Sequence, residues 1–263
     1  MLDFVNPAYT SPEAQDRLSK DFQNAFPYKH LVMDNFLIPS IADSLHNNFP
    51  TLDKLNKHYK GFNEQKSEGS NFEDFHPEFE QTRKLIMSPE FAQWTAKVTG
   101  IPLVFVTDDK LGTGLHQGGS GSFLDIHIDF NIHASLDVYR RLNMLIYFNQ
   151  NWQPEYGGDL EMWDAKMTKC EKKVSPIFNR AVIFETNEIS YHGYSKTTLP
   201  DGVTRKSFYT YFYTEAHNGN AKYHDTVFKA KPEDSLAKRV GTSFKETLKN
   251  FAKSQLKRFG FLK

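Results

Sequence analysis

The chain has 263 residues, 39% of them hydrophobic, which is enough to bury the core of one large domain. Its single cysteine, Cys170, excludes an internal disulfide, the opening residues 1–5 lack the basic and apolar regions of a secretory signal, and no apolar run reaches membrane-spanning length, so the expected setting is cytoplasmic. Net charge is zero, but residues 229–263 carry ten basic and three acidic side chains, a net of +7 that leaves −7 for the body and no clear nucleic-acid signature there.

Aromatic residues make up 14% of the chain, with 23 Phe and 12 Tyr, a composition that favours strands around a wide interior over a helical bundle. Residues 1–22 are polar with few apolar anchors and read as an irregular N-terminal arm. A strand follows within 26–37. Ile41, Leu45 and Phe49 then recur at the spacing of one helical face, with Ser40 three residues before Asp43 as a capping box and Pro50 as the stop. Residues 51–76 are charged, interrupted by Gly61 and Gly69 and without a sustained period, which reads as a long loop of the kind that forms lids.

Ser88-Pro89 offers an N-cap with proline at the first helical position; Phe91, Trp94 and Val98 share a face, and Gly100 ends the helix. From Ile101 the pattern changes. Residues 103–106 read as a strand, and 111–122, with five glycines, as a mobile rim that lacks the Lys-Ser or Lys-Thr ending of a phosphate loop. Short strands follow at 123–128, 142–148, 159–163, 181–185 and 206–213, separated by turn signals at Gly157-Gly158, Pro176 and Pro200-Asp201-Gly202. Such spacing belongs to a sandwich or barrel. The tail returns to helical spacing, with Leu236, Val240, Phe244, Leu248, Phe251, Leu256 and Phe259 in a stripe flanked by Lys and Arg. A basic amphipathic helix of this kind packs its apolar side on a sheet or lies on an anionic membrane surface.

The chemistry concentrates at His127-Ile128-Asp129. Residues two apart on a strand share a face, so the imidazole and carboxylate project side by side, and a third ligand from a distant strand, His192, would complete two imidazoles and one carboxylate around a metal. A lone His-x-Asp is common by chance; its neighbours decide. The strand 142–149 and Tyr156-Gly157-Gly158-Asp159-Leu160 come next, then Pro176, Asn179-Arg180-Ala181-Val182-Ile183-Phe184, His192-Gly193 and Arg205-Lys206-Ser207. In that order the run, over roughly 101–214, resembles the prolyl-4-hydroxylase-like branch of the 2-oxoglutarate and iron(II)-dependent oxygenases.

The resemblance implies a mainly β fold with flanking helices: a double-stranded β-helix, the jelly roll of cupin-like proteins, within one domain over 23–230 that is followed by a basic helix over 231–263. It implies His127, Asp129 and His192 as iron ligands. Arg205 matches the residue that binds the distal carboxylate of 2-oxoglutarate, and Tyr147 the tyrosine often placed on the same group. Strand alternation agrees, since Arg205, Ser207, Tyr209, Tyr211 and Tyr213 share one face and Lys206 the other, and Asn143 lies on the face of Tyr147. The implied cofactors are Fe(II), 2-oxoglutarate as co-substrate and ascorbate as a reductant. The implied reaction hydroxylates an unactivated C–H of a protein, peptide or small-molecule substrate, with release of succinate and CO2. His116 and His133 are further histidines near the site. Two other function classes use the same pattern: a zinc hydrolase, which leaves Arg205 and Ser207 without a role, and a non-catalytic jelly-roll binding module, in which a buried Asp129 would lack a cation.

Overall fold

A computed structural model describes residues 2–215 and 223–243. The N-terminal lead-in, expected as an irregular arm, is a helix, α1 (Pro12–Asn24): Ser11 caps it by accepting from the Ala14 N–H, and Ala14, Leu18 and Phe22 bury one face. Phe4 and Val5 ahead of it are also core residues. Strand β1 (His30–Met33) leads into α2 (Pro39–Asn47), which starts on Pro39 with Ile38 at the cap, so the expected Ser40 capping box is not used. A third helix, α3 (Pro77–Ile86), carries no signal used above. The fourth, α4 (Pro89–Thr99), has the expected limits: the Ser88 hydroxyl accepts from the Phe91 N–H, and Gly100 closes it in the left-handed conformation at φ 71°.

The stretch 51–76 is not a loop. It contains β2 (Lys57–Lys60) and β3 (Glu64–Gly69), an antiparallel hairpin. The rest of the sheet comprises β4 (Thr113–Gly118), β5 (Phe123–Ile128), β6 (Val138–Tyr147), β7 (Leu160–Trp163), β8 (Cys170–Val174), β9 (Arg180–Glu185), β10 (His192–Tyr194), β11 (Arg205–Glu215) and β12 (Val227–Phe228). Strands pair in the order β1-β9-β6-β11-β4-β3-β5-β10-β7-β8, with β12 on β5, to give a mostly antiparallel, nearly closed jelly-roll barrel. The upper part of β3 pairs with β4 (Ser67 opposite Gln117) and its lower part with β5 (Gln65 opposite Phe123), so this hairpin bridges the two halves of the barrel.

Alternation sorts the side chains into two layers. Leu142, Met144 and Ile146 of β6 and Phe208 and Phe212 of β11 turn outward to a core shared with Phe22, Phe36, Phe79 and Phe91 from the helical side. Tyr147, Leu160, Val182 and Phe184 form a second cluster inside. Half of the glycine-rich segment 111–122, expected as a mobile rim, is the largely buried strand β4. Its glycines answer to close approach: a Cβ on Gly112 would lie 1.9 Å from the Thr107 carbonyl oxygen, and one on Gly114 within 2.4 Å of the Tyr209 hydroxyl. Gly112→Ala should therefore destabilise the fold by roughly 1–3 kcal/mol, read as a lowered thermal midpoint; an unchanged midpoint would show that the Thr107 backbone yields freely.

Residues 103–106 do not form a strand: Phe105 makes an isolated bridge to Tyr213, and Leu103 is exposed at φ 55°. In the C-terminal region a helix begins at 236 and is described to 243, while the apolar positions Phe244 to Phe259 lie outside the described residues. Lys238 ties this helix to Asp125 at 2.8 Å, and Leu236 and Val240 face solvent. Among the described residues no helix is long and apolar enough to cross a membrane.

Candidate metal and co-substrate site

His127 near the end of β5, Asp129 just past it and His192 at the start of β10 are brought together because β5 and β10 are neighbours, with His192 directly opposite His127. One potential ligand atom from each falls within 4.8 Å of the others. The Asp129 carboxylate lies 3.6 Å from His127 Nε2 and 3.4 Å from His192 Nε2. Each imidazole is held through its other nitrogen, His127 Nδ1 on the Asp125 carbonyl and His192 Nδ1 on the Ser190 carbonyl, both at 2.9 Å. That anchoring leaves the Nε2 lone pairs facing the carboxylate. Burial, and then the adjacent His127, push the His192 pKa down to about 4, so it is the neutral, ligating form at neutral pH.

Asp129 is held by a group that sequence reasoning missed. Arg140 is fully buried, with Nη2 3.2 Å from Asp129 Oδ2 and its guanidinium 3.5 Å from the centre of the Tyr211 ring. Asn143 joins the two: its Nδ2 donates to Asp129 Oδ2 at 2.6 Å, while its Oδ1 accepts from Arg140 Nε at 3.0 Å. Burial alone would raise the Asp129 pKa. The charge of Arg140, followed by the flanking histidines, instead holds it well below the usual carboxylate range. Arg140 and Asn143 are three apart, a spacing that alternation sends to opposite faces. A bulge resolves this, since Phe212 pairs with Leu142 and Tyr213 with Arg140, skipping Arg141. Asn143 therefore bonds Asp129 and Arg140 while lining the inner cavity that Arg205 also borders. Asn143→Ala should lower metal affinity by roughly 10–100-fold in a metal titration, and an unchanged affinity would mean that Arg140 alone suffices to orient the carboxylate.

The far side of the same inner cavity, about 70 Å3 in volume, holds Arg205 and Ser207. Arg205 donates through Nε to the Gly158 carbonyl at 2.8 Å and through Nη2 to the Tyr147 hydroxyl at 3.4 Å, and it lies 4.1 Å from the Tyr194 ring centre. It is buried and, among the described residues, has no carboxylate partner. The Ser207 Oγ beside it is buried without a hydrogen bond. A cation and a hydroxyl left open in a closed cavity fit an anionic ligand group. The His-Asp-His set likewise offers the two nitrogens and one oxygen that suit an iron ion with open positions.

Residues 113–213, spanning β4 to β11, match the model of the 2OG-Fe(II) oxygenase superfamily. Over that segment, 101 of the chain's 263 residues, the chain is similar to the superfamily. It is 27% identical over 195 residues to the prolyl 3-hydroxylase OGFOD1 of Mus musculus, a match that takes in 71% of the chain but only about a third (33%) of that relative's length. Two solved structures resemble it at 17% identity and a TM-score of 0.54. One, a prolyl-4-hydroxylase from Pseudomonas putida, overlaps 76% of this chain and 99% of its own; the other, a prolyl hydroxylase from Trichoplax adhaerens in complex with a hypoxia inducible factor peptide fragment, overlaps 78% and 95%. At that identity the likeness is one of fold. The family implies Fe(II) and 2-oxoglutarate, and the donor set and the open Arg205 fit both.

Two walls of the mouth lie outside the matched residues. The hairpin supplies Lys57, Tyr59 and Lys66, and β12 with its approach supplies Thr226 and Phe228, the latter 5.5 Å from His127 ring to ring. Neither showed in the sequence, because the hairpin is polar and β12 has only two residues. His133 is no part of the mouth: it bonds Asp109 at 2.9 Å and accepts from the Ser135 and Leu136 backbone. His116 lines the inner cavity.

Proposed function

We propose that the protein is a 2-oxoglutarate- and Fe(II)-dependent dioxygenase of the prolyl hydroxylase kind. The observation that carries this reading is the His127, Asp129 and His192 set facing, across one small cavity, an Arg205 that has no carboxylate partner among the described residues. In the proposed mechanism the three ligands would hold iron, and Arg205, with Ser207 and Tyr147, would hold the distal carboxylate of 2-oxoglutarate. Iron and co-substrate together supply the oxidant that hydroxylates an unactivated C–H, with succinate and CO2 as co-products. The chain's own part is orientation and exclusion. Arg140 and Asn143 fix the Asp129 carboxylate, and Tyr194, Phe184 and Tyr211 wall the cavity against water.

Relatives named as prolyl hydroxylases support a prolyl ring, in a peptide or free, as the first substrate to test. The decisive experiment is succinate formation from 2-oxoglutarate by the Fe(II)-loaded protein, with ascorbate present and proline-containing peptides and free proline as candidates. Metal-dependent succinate that is lost in Asp129→Ala is the expected result. No succinate under any of these conditions, with iron bound, would overturn the reading.

A further inference from the structure

The chain that follows β11 returns to the site, and the scheme above gives it no part. Strand β12 lies antiparallel on β5 with Val227 opposite Ile128 and Phe228 opposite His127. Directly opposite residues share a face of the sheet, so Phe228 projects on the side of the ligand, its ring 5.5 Å from the His127 ring. The register holds on both sides of this pair: the Lys229 N–H donates to the Ile126 carbonyl at 2.7 Å, and the His224 N–H to the Asn131 side chain at 3.0 Å. One residue along, it sets Thr226 beside Asp129, and both Thr226 and Phe228 line the mouth. This strap thus runs past two of the three ligands.

Two lysines fasten it. Lys231 meets the Glu161 carboxylate of β7 at 2.7 Å, and Lys238 meets Asp125 of β5 at 2.8 Å. Glu161 is 3% exposed and, among the described residues, pairs with no other cation, so lifting the strap would strand a buried charge. Beyond Lys238 the strap reaches the hairpin: a Cβ on Gly241 would lie 3.1 Å from the Phe62 ring at the β2–β3 turn. Hairpin and strap enclose a mouth of about 240 Å3, below the roughly 300–1,000 Å3 of a pocket for a drug-sized ligand. Its walls differ in chemistry. Lys57, Tyr59 and Lys66 make the hairpin side polar, whereas Phe228, with Leu124 and Phe130, gives the ligand side an apolar surface. Phe130 and Phe228 are only half-buried, which leaves part of each ring for a substrate to cover.

We propose that Phe228 selects the substrate of this site: its ring packs on the aliphatic carbons next to the C–H that reacts and turns away substrates that carry a bulky group there, while polar groups of the substrate meet the hairpin. Lys231 is a positioning residue that holds Phe228 beside His127. The proposal rests on the functional reading above and narrows it to substrates that present a small aliphatic ring or chain. It places the selecting residue outside the segment that matches the family model.

The test is optical titration of the Co(II)-loaded protein, which needs no turnover. 2-Oxoglutarate is added first and its binding read as a change in the cobalt bands. With the inner cavity filled, imidazole and 4-phenylimidazole are compared as metal-binding probes that enter through the mouth. The wild type should bind imidazole roughly tenfold or more tightly than 4-phenylimidazole, and Phe228→Ala should erase most of that ratio. Lys231→Met should lower it in the same direction and Lys231→Arg restore it, whereas Leu236→Ser, at an exposed position of the strap, should change nothing. A wild-type ratio retained in folded Phe228→Ala protein, equal binding of the two probes by the wild type, or binding of neither probe by any variant overturns the selector; if Phe228→Ala does not fold, Phe228→Leu is read in its place. A ratio untouched by Lys231→Met overturns the positioning role of that lysine. Cobalt bands that do not respond to 2-oxoglutarate overturn the functional reading itself.

Discussion

Asp129→Ala is expected to abolish iron-dependent 2-oxoglutarate turnover and to cost stability as well. The substitution removes the only anion from the ligand set, leaving two neutral imidazoles, so the loss should exceed the roughly 10–100-fold that removal of an outer-sphere partner costs. The stability loss has a separate origin. Arg140 is 1% exposed and pairs with Asp129 at 3.2 Å, so the alanine leaves a buried guanidinium short of its counter-charge. Breaking such a pair from one side costs on the order of 3–5 kcal/mol, here reduced by the Asn143 bond and the Tyr211 ring that Arg140 keeps. His192→Ala separates the two effects, since it removes a ligand without stranding a charge. Succinate formation and thermal denaturation measured side by side should show both losses in Asp129→Ala and chiefly the first in His192→Ala. Near wild-type turnover in either variant would sink the ligand assignment.

The second large effect should come from Arg205→Ala. A five-carbon keto diacid leaves one carboxylate beyond the metal, and Arg205 is the buried cation at that end of the cavity, steadied by the Gly158 carbonyl and the rings of Tyr147 and Tyr194. Truncating one side of a desolvated, hydrogen-bonded charge pair typically costs about 2–5 kcal/mol, a weakening of roughly thirtyfold or more. The 2-oxoglutarate concentration for half-maximal turnover should rise by that factor while metal binding persists. Lys206 is the internal control: its ammonium lies 5.8 Å from the Phe49 ring centre, on the outer layer of β11, and Lys206→Ala should leave the co-substrate requirement nearly unchanged. Equal damage from the two would contradict the register in which Ser207 faces Tyr147.

That register was legible in the sequence because a period of two needs only a strand and its phase. His127 with Asp129, and Arg205 with Ser207, are pairs of this kind, and their neighbours Ile126, Ile128 and Phe208 are apolar and buried on the other face. The α4 helix was legible for a similarly local reason, its cap, proline and terminal glycine. What escaped was decided by tertiary surroundings. The strands β2 and β3 read KHYK and EQKSEG with no apolar alternation, because the side that faces in meets a charged mouth and not a hydrophobic core. The glycines of 112–118 suggested mobility when their purpose is clearance beneath Thr107, Tyr209 and Ser122. Arg140 was hidden by the bulge at Arg141: strict alternation would have sent it to the face opposite Asn143, and the bulge turns it to the same one. In α1 the three buried anchors are widely diluted by polar residues, although Leu18 and Phe22 do stand one helical turn apart.

The pairing of β1 with β9, His30 opposite Phe184, has a consequence for the order in which the molecule can be made. The principal core runs from Phe4 to Phe212, and the four helices near the N-terminus, which pack in part on one another, complete the burial of their apolar faces against β6, β9 and β11. During synthesis the first hundred residues leave the ribosome long before those strands exist, and the strand that bridges the barrel halves, β3, must likewise wait for both β4 and β5. The N-terminal half is therefore only partly buried for most of translation, with Phe22, Phe36, Phe79 and Phe91 short of their sheet contacts, and the nascent chain should depend on protection from aggregation until β11 emerges.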